Sequence, residues 1–312
     1  MGTNLIPIII PPDQAEAVTA FGDEVRFHLG RQHHGNAVTM FSDLTPPGGG
    51  PPPHFHVAED EWWYILEGEA EFFDGAQWIP VGVGGSVFMP RHSLHTFRNA
   101  GRQPLKHLIH TAPAGFENFF KKSAAEFQKG GPPDMPRILE IGAESGIYFP
   151  TLAPADAAKR GQPALPPAFV QPGQGQVLYA FGEEATFMLA GAHTGGLFTS
   201  FINVTLPGGG PPLHVHENED EWFFVMAGRV SFFGDGKWTE TTPGTAVFAP
   251  RKSVHTFKNT GDTPARMLIH SSPAGFEKFF AAAAMEFARP GGPDIGRAVQ
   301  IAASHGIRIV GP

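Results

Sequence analysis

The sequence contains no cysteine and no run of basic residues. Without cysteine the chain forms no disulfide and offers no thiolate to a metal, so histidine and carboxylate side chains are the metal ligands left to it. The net charge of −8 at pH 7 comes from 22 Lys and Arg against 30 Asp and Glu. Nucleic-acid binding requires clustered basic residues that neutralise phosphates, so this composition argues against it.

A long hydrophobic segment is also lacking. The N-terminal stretch MGTNLIPIIIPPDQ has a short apolar run, but prolines interrupt it and no basic region precedes it. We therefore expect neither a signal peptide nor a membrane span. A cytoplasmic protein without a membrane partner is the simplest expectation.

Glycine and proline, in contrast, are plentiful, with 39 and 31 residues in a chain of 312. This composition predicts many turns and short strands rather than long helices. The length predicts two domains, and the 41% of hydrophobic residues is enough to form a core in each.

The sequence repeats itself with a constant shift of 160 residues. PPPHFHVAEDEWWYILEG begins at Pro51 and PPLHVHENEDEWFFVMAG begins at Pro211. Downstream, LIHTAPAGFENFF at Leu108 matches LIHSSPAGFEKFF at Leu268 without an insertion. A repeat of this length indicates two copies of one folding unit. We predict an N-terminal domain over residues 1–149, a linker rich in Pro, Ala and Gly over 150–175, and a C-terminal domain over 176–312.

Each unit shows the pattern of an all-β domain followed by one helix. Aromatic and β-branched runs, with turn residues at intervals of roughly 8–12, predict an antiparallel sandwich or a closed barrel. The helix should pack its apolar stripe against the barrel. The stripe comprises Phe116, Phe119, Phe120 and Phe127, repeated as Phe276, Phe279, Phe280 and Phe287.

The segment HFHVAEDE contains candidate metal ligands. Residues i and i+2 of a strand point to one face, so His54 and His56 should lie side by side. If the following EWWYILEG continues as a strand, Glu61 shares the apolar face, Glu59 is an alternative and Asp60 faces the other way.

A third histidine comes from GSVFMPRHSLHTFRN, which contains His95. Three imidazoles and one carboxylate suit a divalent first-row metal, either in a tetrahedral zinc site or with open positions on a six-coordinate metal. The second unit repeats the set as His214, His216, Glu221 and His255.

For the other polar residues we favour a structural role over a role in metal or substrate binding. We expect His110 and His270 to be core or supporting groups, and His33 and His193 to be exposed turn residues. Arg91 and Arg251 should be turn residues that could also pair with an acidic substrate. Solvated rim charges are expected at Glu59, Asp60, Glu219 and Asp220.

The candidate ligands and the glycines, proline and asparagine around them form two motifs with fixed spacing in each unit. One motif, G-x5-H-x-H-x4-E-x6-G, spans residues 48–68, and a second, G-x5-P-x4-H-x3-N, spans 84–99; both recur at 208–228 and 244–259. This pattern resembles both conserved motifs of the cupin superfamily. It departs from them at one turn position, where His92 and Lys252 replace the usual glycine.

The resemblance implies a bicupin, with two tandem antiparallel jelly-roll β-barrels, each followed by a short amphipathic helix. It also implies one metal in each barrel, and the motif spacing selects one glutamate among the neighbouring acids. The implied ligands are His54, His56, Glu61 and His95 in the first barrel and His214, His216, Glu221 and His255 in the second.

Within the superfamily the sequence is most similar to the quercetin (flavonol) dioxygenases, because of the Phe-Gly start of each unit and the PAGFE-x-FF helix. The resemblance implies a dioxygenase that cleaves a planar aromatic or enolisable substrate such as quercetin with O2, as a monomer or homodimer. It implies up to two divalent metals per chain, iron first, with Mn, Ni, Co, Cu or Zn as alternatives. Glu61 and Glu221 would act as catalytic bases as well as ligands.

Two other functions remain open. The metal could serve only as a Lewis acid in a non-oxidative isomerase, cyclase, lyase or decarboxylase. Alternatively, the chain could be a non-enzymatic ligand-binding bicupin. The aromatic run that contains Trp63 provides flat surface for a planar ligand, although most of these side chains should form barrel core.

Overall fold

The computed structural model describes residues 5–311; residues 1–4 and 312, which the predicted domain bounds include, lie outside the described part of the chain. Short antiparallel strands predominate, and the two halves form tandem jelly-roll barrels with short helices, which confirms the predicted fold class. The strands up to residue 174 are β1 (Ile8–Ile10), β2 (Glu16–Ala20), β3 (Asp23–Leu29), β4 (Thr39–Thr45), β5 (Phe55–His56), β6 (Asp60–Glu67), β7 (Ala70–Phe73), β8 (Trp78–Val81), β9 (Ser86–Met89), β10 (Thr96–Asn99), β11 (Leu105–Ala112), β12 (Ile147–Tyr148) and β13 (Ala168–Val170).

The second half repeats this order. Its strands are β14 (Gln176–Ala180), β15 (Glu183–Leu189), β16 (Thr199–Thr205), β17 (His214–His216), β18 (Asp220–Ala227), β19 (Val230–Gly234), β20 (Lys237–Thr241), β21 (Ala246–Ala249), β22 (Thr256–Asn259), β23 (Ala265–Ser272) and β24 (Ile307–Ile309). The helices of the chain are α1 (Arg31–His34), α2 (Glu117–Phe127), α3 (Met135–Glu144), α4 (Gly191–Thr194), α5 (Phe276–Phe287) and α6 (Ile295–Ser304), with 3-10 turns at Pro12–Gln14 and Pro154–Lys159.

Each barrel has one seven-stranded sheet and one three-stranded sheet. In the first unit the strand orders are β13-β9-β6-β11-β4-β3-β2 and β10-β7-β8, with β12 paired to β5. In the second they are β1-β21-β18-β23-β16-β15-β14 and β20-β19-β22, with β17 paired to β24. Inward-facing aliphatic and aromatic residues of these strands fill the interior of each barrel, as the alternating pattern predicts.

The first strand of each repeat pairs outside its own repeat. β1 pairs with β21, placing Ile9 opposite Val247, and β13 pairs with β9, placing Phe169 opposite Val87. The compact units are therefore residues 15–174 and residues 5–14 together with 175–311.

This division differs from the predicted domain bounds at two places. The stretch 150–175, predicted as a linker, contains a 3-10 turn and the edge strand β13 of the first barrel, and the N-terminal apolar run belongs with the second barrel. The physical reason is that an exposed sheet edge is stabilised by one more strand, and composition does not reveal which edge a short strand pairs with.

The PAGFE segment connects each barrel to its helix. The carboxylate of Glu117 accepts hydrogen bonds from Thr39 Oγ1 of β4 at 2.6 Å, from the backbone N–H of Arg31 at 2.9 Å and from that of Gly115 at 3.1 Å. Glu277 has the same partners in the second unit, namely Thr199, Gly191 and Gly275. The start of the helix is thereby held against the barrel, and its phenylalanine stripe faces inward.

A second helix follows in each unit, which the sequence analysis did not identify. Asp134 caps α3 by accepting from the backbone N–H of Arg137 at 3.2 Å, and Asp294 caps α6 through Arg297 at 3.1 Å. An aspartate at this position is a helix-start signal, and in the first unit a proline follows it within the first turn.

We expect Glu117→Gln to destabilise the first barrel by about 1–3 kcal/mol, because an amide nitrogen at this buried position has no acceptor and the charged hydrogen bonds are lost. The thermal unfolding midpoint of the purified variant measures this, and Glu277→Gln should behave alike. Glu140→Gln is the matched control, since Glu140 is exposed and its ion pair with Arg137 lies on the surface. Equal midpoints for the variant and the control would contradict the expectation.

Candidate metal centre

Two antiparallel bridges bring the two sequence motifs together. His54, just before β5, and His95, just before β10, form an isolated bridge in which each backbone N–H donates to the carbonyl of the other at 2.9 Å. His214 and His255 form the same bridge at 3.1 Å. Residues 41 positions apart are thus directly opposite each other, and their imidazoles lie on one face.

Each bridge completes a buried cluster of three histidines and one glutamate. In the first unit the ligand atoms of His54, His56, Glu61 and His95 all lie within 4.8 Å of one another. Glu61 Oε2 is 3.0 Å from His95 Nε2 and 3.2 Å from His56 Nε2. The second unit gathers its predicted residues in the same way, and these are His214, His216, Glu221 and His255.

Backbone carbonyls orient two of the imidazoles. His54 donates its Nδ1–H to the carbonyl oxygen of Pro52 at 2.9 Å, and His95 donates its Nδ1–H to that of Ser93 at 2.9 Å. Because a carbonyl only accepts, the proton is on Nδ1 and the lone pair of Nε2 points into the cluster. This is the support that metal-binding histidines usually have.

A buried glutamate supports the third imidazole. Glu59 Oε2 lies 3.4 Å from His56 Nδ1, and Glu219 lies 3.4 Å from His216 Nδ1. The prediction that both are solvated rim charges is wrong, because both are buried beside the cluster. Strand parity correctly allowed Glu59 to share the inner face with Glu61. The chain bends between His56 and β6, and this bend carries Glu59 inward.

The charges of the cluster are strongly coupled. Burial disfavours the charged form of His56, but Glu61 and Glu59 outweigh it and raise its pKa to about 9. Burial also lowers the pKa of His54 well below its usual value. The pKa of Glu61 falls below its usual range because His56 and His95 outweigh its own burial. Once His56 gives up its proton, as a metal ligand must, a carboxylate and three imidazoles around one point are a donor set that fits a divalent cation.

Asp60 has a different partner. Its side chain is buried and forms a two-point ion pair with Arg91, at 3.2 Å to Nε and 2.6 Å to Nη2, and accepts from the Arg91 backbone N–H at 2.8 Å. Asp220 and Arg251 form the same pair. The predicted solvation of Asp60 is therefore wrong, and both arginines have an internal partner in place of an acidic substrate.

Each cluster lies at the wall of an apolar cavity. The cavity volumes are about 350 Å³ in the first unit and about 370 Å³ in the second. No lysine or arginine of the described residues lines either one. The helical stripe lines the cavities, through Phe116, Phe119, Phe120 and Phe127 in the first unit and Phe276, Phe279, Phe280 and Phe287 in the second. As predicted, it also packs against the barrel core, in the first unit through Phe116, Phe119 and Phe120.

The alternation of β6 divides its aromatic residues. Trp63 lines the first cavity together with Glu61, whereas Trp62 is on the opposite face and stacks on His110 with ring centroids 5.1 Å apart. Trp222 and His270 stack in the same way. His110 is therefore a core group, as predicted, and burial lowers its pKa to about 3.

The remaining sequence candidates are structural. His33 Nδ1 accepts a hydrogen bond from the Gly30 backbone N–H at 3.1 Å, and His193 Nδ1 accepts one from Ala190 at 3.1 Å, so both stabilise a one-turn helix. His193 is exposed, whereas His33 is partly buried. His92, at the position where glycine is usual, has φ of 70°, in the left-handed region that glycine adopts most easily.

The sequence analysis missed two carboxyl groups in the first cavity. Asp23 of β3 and Asp43 of β4 line it, and the matching residues Glu183 and Asn203 line the second. Burial raises the pKa of Asp23 to about 8, with a further contribution from the charge of Asp43. A signal was present, because Asp23 alternates with Val25 and Phe27 on the apolar face of β3.

We expect Arg91→Ala to destabilise the first barrel by about 1–3 kcal/mol, because it leaves the buried carboxylate of Asp60 with one backbone donor. Differential scanning calorimetry measures the shift. Arg251→Ala is the matched comparison and should cost less, since the side chain of Asp220 is more exposed, at 20% against 5%. A larger loss in Arg251→Ala would contradict this ranking.

Comparisons with known proteins agree with this geometry. The model of the cupin domain matches residues 44–110 and 203–271. An oxalate-binding protein of Thermotoga maritima is 30% identical over 86 residues, which are 27% of this chain and 71% of that protein. The polyketide synthase CurC of Streptomyces cyaneus is 30% identical over 82 residues, 26% of this chain and 53% of that protein.

Solved structures share the fold at low sequence identity. The oxalate decarboxylase of Lactobacillus farciminis, in a formate complex, superposes with a TM-score of 0.63 at 16% identity and covers 88% of both chains. That of Bacillus subtilis at pH 4.6 gives 0.62 at 17% identity, covering 88% of this chain and 78% of its own. A further Bacillus subtilis oxalate decarboxylase structure, from work on its Mn(II) centers, gives 0.60 at 16% identity, with 88% and 79% covered. No helix in the described part of this chain is long and apolar enough to span a bilayer.

Proposed function

Since this chain belongs to the cupin family, with one cupin domain in each half, we propose that it is a metal-dependent enzyme that acts without O2 on an apolar, enolisable small molecule. The observation that carries this proposal is the position of a buried three-histidine, one-glutamate cluster at the wall of an apolar cavity. The reaction class is an isomerisation, cyclisation, lyase or decarboxylation step.

The four residues of each cluster would hold a divalent metal through three Nε2 atoms and one carboxylate oxygen. Manganese is one candidate, because the Bacillus subtilis decarboxylase, which has a similar bicupin fold, contains Mn(II) centers; iron and the other divalent metals remain alternatives. The metal would supply a Lewis acid for an oxygen atom of the substrate. Glu61 and Glu221 would hold the metal and, as carboxylates, would accept the proton that the substrate loses from its hydroxyl group or from the carbon next to its carbonyl group.

The cavity lining defines the substrate class. A dianion such as oxalate needs cationic partners when it leaves water, and no lysine or arginine of the described residues lines either cavity. The relatives include an oxalate-binding protein and a polyketide synthase. Of these two kinds of ligand, a polyketide therefore fits the apolar walls better than oxalate does. Phenylalanine side chains would enclose an apolar body and exclude water from the reacting oxygen.

A second candidate is a dioxygenase that cleaves a planar aromatic such as quercetin with O2. The aromatic lining favours it, in particular Trp63 beside Glu61 in the first cavity. In this case the metal held by each cluster would supply open coordination positions for the substrate oxygen and for dioxygen. Oxygen consumption distinguishes the two candidates.

The protein reconstituted with Mn(II) or Fe(II) should contain about two metal equivalents per chain, one for each four-residue cluster. His56→Ala and His216→Ala should each lower the content to about one equivalent, and the double variant should retain none. Elemental analysis after removal of free metal measures this. His33→Ala is the control, because His33 lies outside both clusters. Two equivalents in the double variant would refute these sites.

The metal-loaded protein should accelerate deuterium exchange at the methyl group of acetophenone under nitrogen, because a Lewis acid on the ketone oxygen stabilises the enolate. Proton NMR in D2O follows the exchange, and the double variant provides the background rate. Acceleration that is absent with every divalent metal would contradict the non-oxidative proposal. Oxygen uptake with quercetin, dependent on the same histidines, would instead support the dioxygenase.

A further inference from the structure

The first cavity has a second set of polar groups besides the cluster residues. Apart from the cluster residues His54 and Glu61, the acidic side chains that line it are Asp23 and Asp43, and the rest of the lining is apolar or aromatic. A ligand that fills such a cavity needs an apolar body, one oxygen at the cluster and a second polar group opposite the carboxyl pair.

Strand register places this second polar group inside the barrel. Asp43 is opposite Val25 of β3 and opposite His107 of β11, so all three side chains share the inner face. Asp23 is two residues from Val25 and shares that face. His107 and Asp43 are almost completely buried, at 0% and 3% exposure.

The two oxygens of Asp43 have different surroundings. Oδ2 lies 3.4 Å from His107 Nε2 and accepts from Thr45 Oγ1 at 3.3 Å. Oδ1 is buried and receives no hydrogen bond from an N–H or hydroxyl group of the described residues. A buried carboxylate oxygen without a donor is costly, so the proton of Asp23 or a ligand hydroxyl is needed to satisfy it.

The neighbouring Asp23 carries that proton at neutral pH. Burial, and then the charge of Asp43, raise its pKa to about 8. Its carboxyl group is therefore a donor while Asp43 is an acceptor. A hydroxyl group can accept from the first and donate to the second, whereas an ether can only accept.

The second cavity lacks this arrangement. Asn203 replaces Asp43, and its Oδ1 already accepts from Thr205 Oγ1 at 2.6 Å. Glu183 replaces Asp23, and its Oε1 lies 3.2 Å from the hydroxyl oxygen of the same threonine. Met267 takes the place of His107 in the register with β16. The polar atoms of this wall are thus satisfied by one another.

We propose that Asp23 and Asp43 form a hydroxyl-binding subsite in the N-terminal cavity, so that this barrel selects an apolar ligand with a hydroxyl group in addition to the oxygen at the cluster. The C-terminal barrel does not make this selection. The subsite deepens the proposed function and rests on the cavity being the substrate site. It makes the two barrels different in specificity although their clusters match.

The test uses para-trifluoromethylphenol and its methyl ether as probes, with the metal-loaded full-length protein at neutral pH. Fluorine NMR gives a bound signal for each cavity. Asp43→Asn, which introduces the residue of the second barrel, identifies the N-terminal signal, and Asn203→Asp identifies the other. The N-terminal cavity should bind the phenol about tenfold or more tightly than the ether, and Asp43→Asn should remove this preference.

Several outcomes would overturn the subsite. These are an equal affinity of the N-terminal cavity for the two probes, an equal loss of affinity for both probes in Asp43→Asn, or the same preference for the phenol in the C-terminal cavity. If Asp43→Asn does not fold, the double variant Asp43→Asn, His107→Met is used in place of the single variant, because it carries the residues of the second barrel at both positions. Metal content should stay at the wild-type value in either variant.

The metal measurement separates this proposal from the proposed function. A phenol preference in a protein that binds no metal and enolises no ketone would retain the subsite and reject the enzyme. Normal metal content and ketone exchange without a phenol preference would reject the subsite alone.

Discussion

The backbone bridge between His54 and His95 is the constraint on which the functional architecture depends. Its two reciprocal N–H···O bonds of 2.9 Å hold together the entries to β5 and β10, which are far apart along the chain. The same residues supply two imidazoles, and each donates its Nδ1–H to a carbonyl two residues earlier. The backbone therefore determines both the position and the tautomer of the candidate ligands. Glu61, from β6, then needs only the inward parity of its strand to reach them.

The rest of each barrel encloses this cluster in an apolar environment. Glu117 joins α2 to β4, so the phenylalanine stripe covers the cavity next to the cluster instead of packing elsewhere on the barrel. The edge strands exchanged between the repeats complete the large sheets, which carry Glu61 and its counterpart Glu221. Stability and chemistry are linked here, because the residues that close the hydrophobic core also exclude water from the candidate metal centre.

Duplication preserved the clusters but not the second set of polar residues in the cavities. Both sets of three histidines and one glutamate match in sequence and geometry, whereas Asp43 and His107 of the first barrel correspond to Asn203 and Met267 of the second. An amide satisfied by its own threonine and a thioether do not present the same hydrogen-bonding groups as a carboxylate beside a histidine. Similar metal chemistry with different ligand selection is the physical consequence.

The sequence alone indicated the duplication and the β-rich class, and its resemblance to the cupin motifs implied the eight residues of the two clusters, because residue spacing and strand parity are local properties that repeat with the chain. It did not determine where β1 and β13 pair, since any exposed sheet edge offers the same backbone groups. It also misplaced Glu59 and Asp60, whose burial depends on the bend after His56 and on Arg91 from another strand connection. The tertiary structure alone put Asp23 and Asp43 into one cavity lining and gave the cavity its second polar group, because this placement arises from the register of β3, β4 and β11.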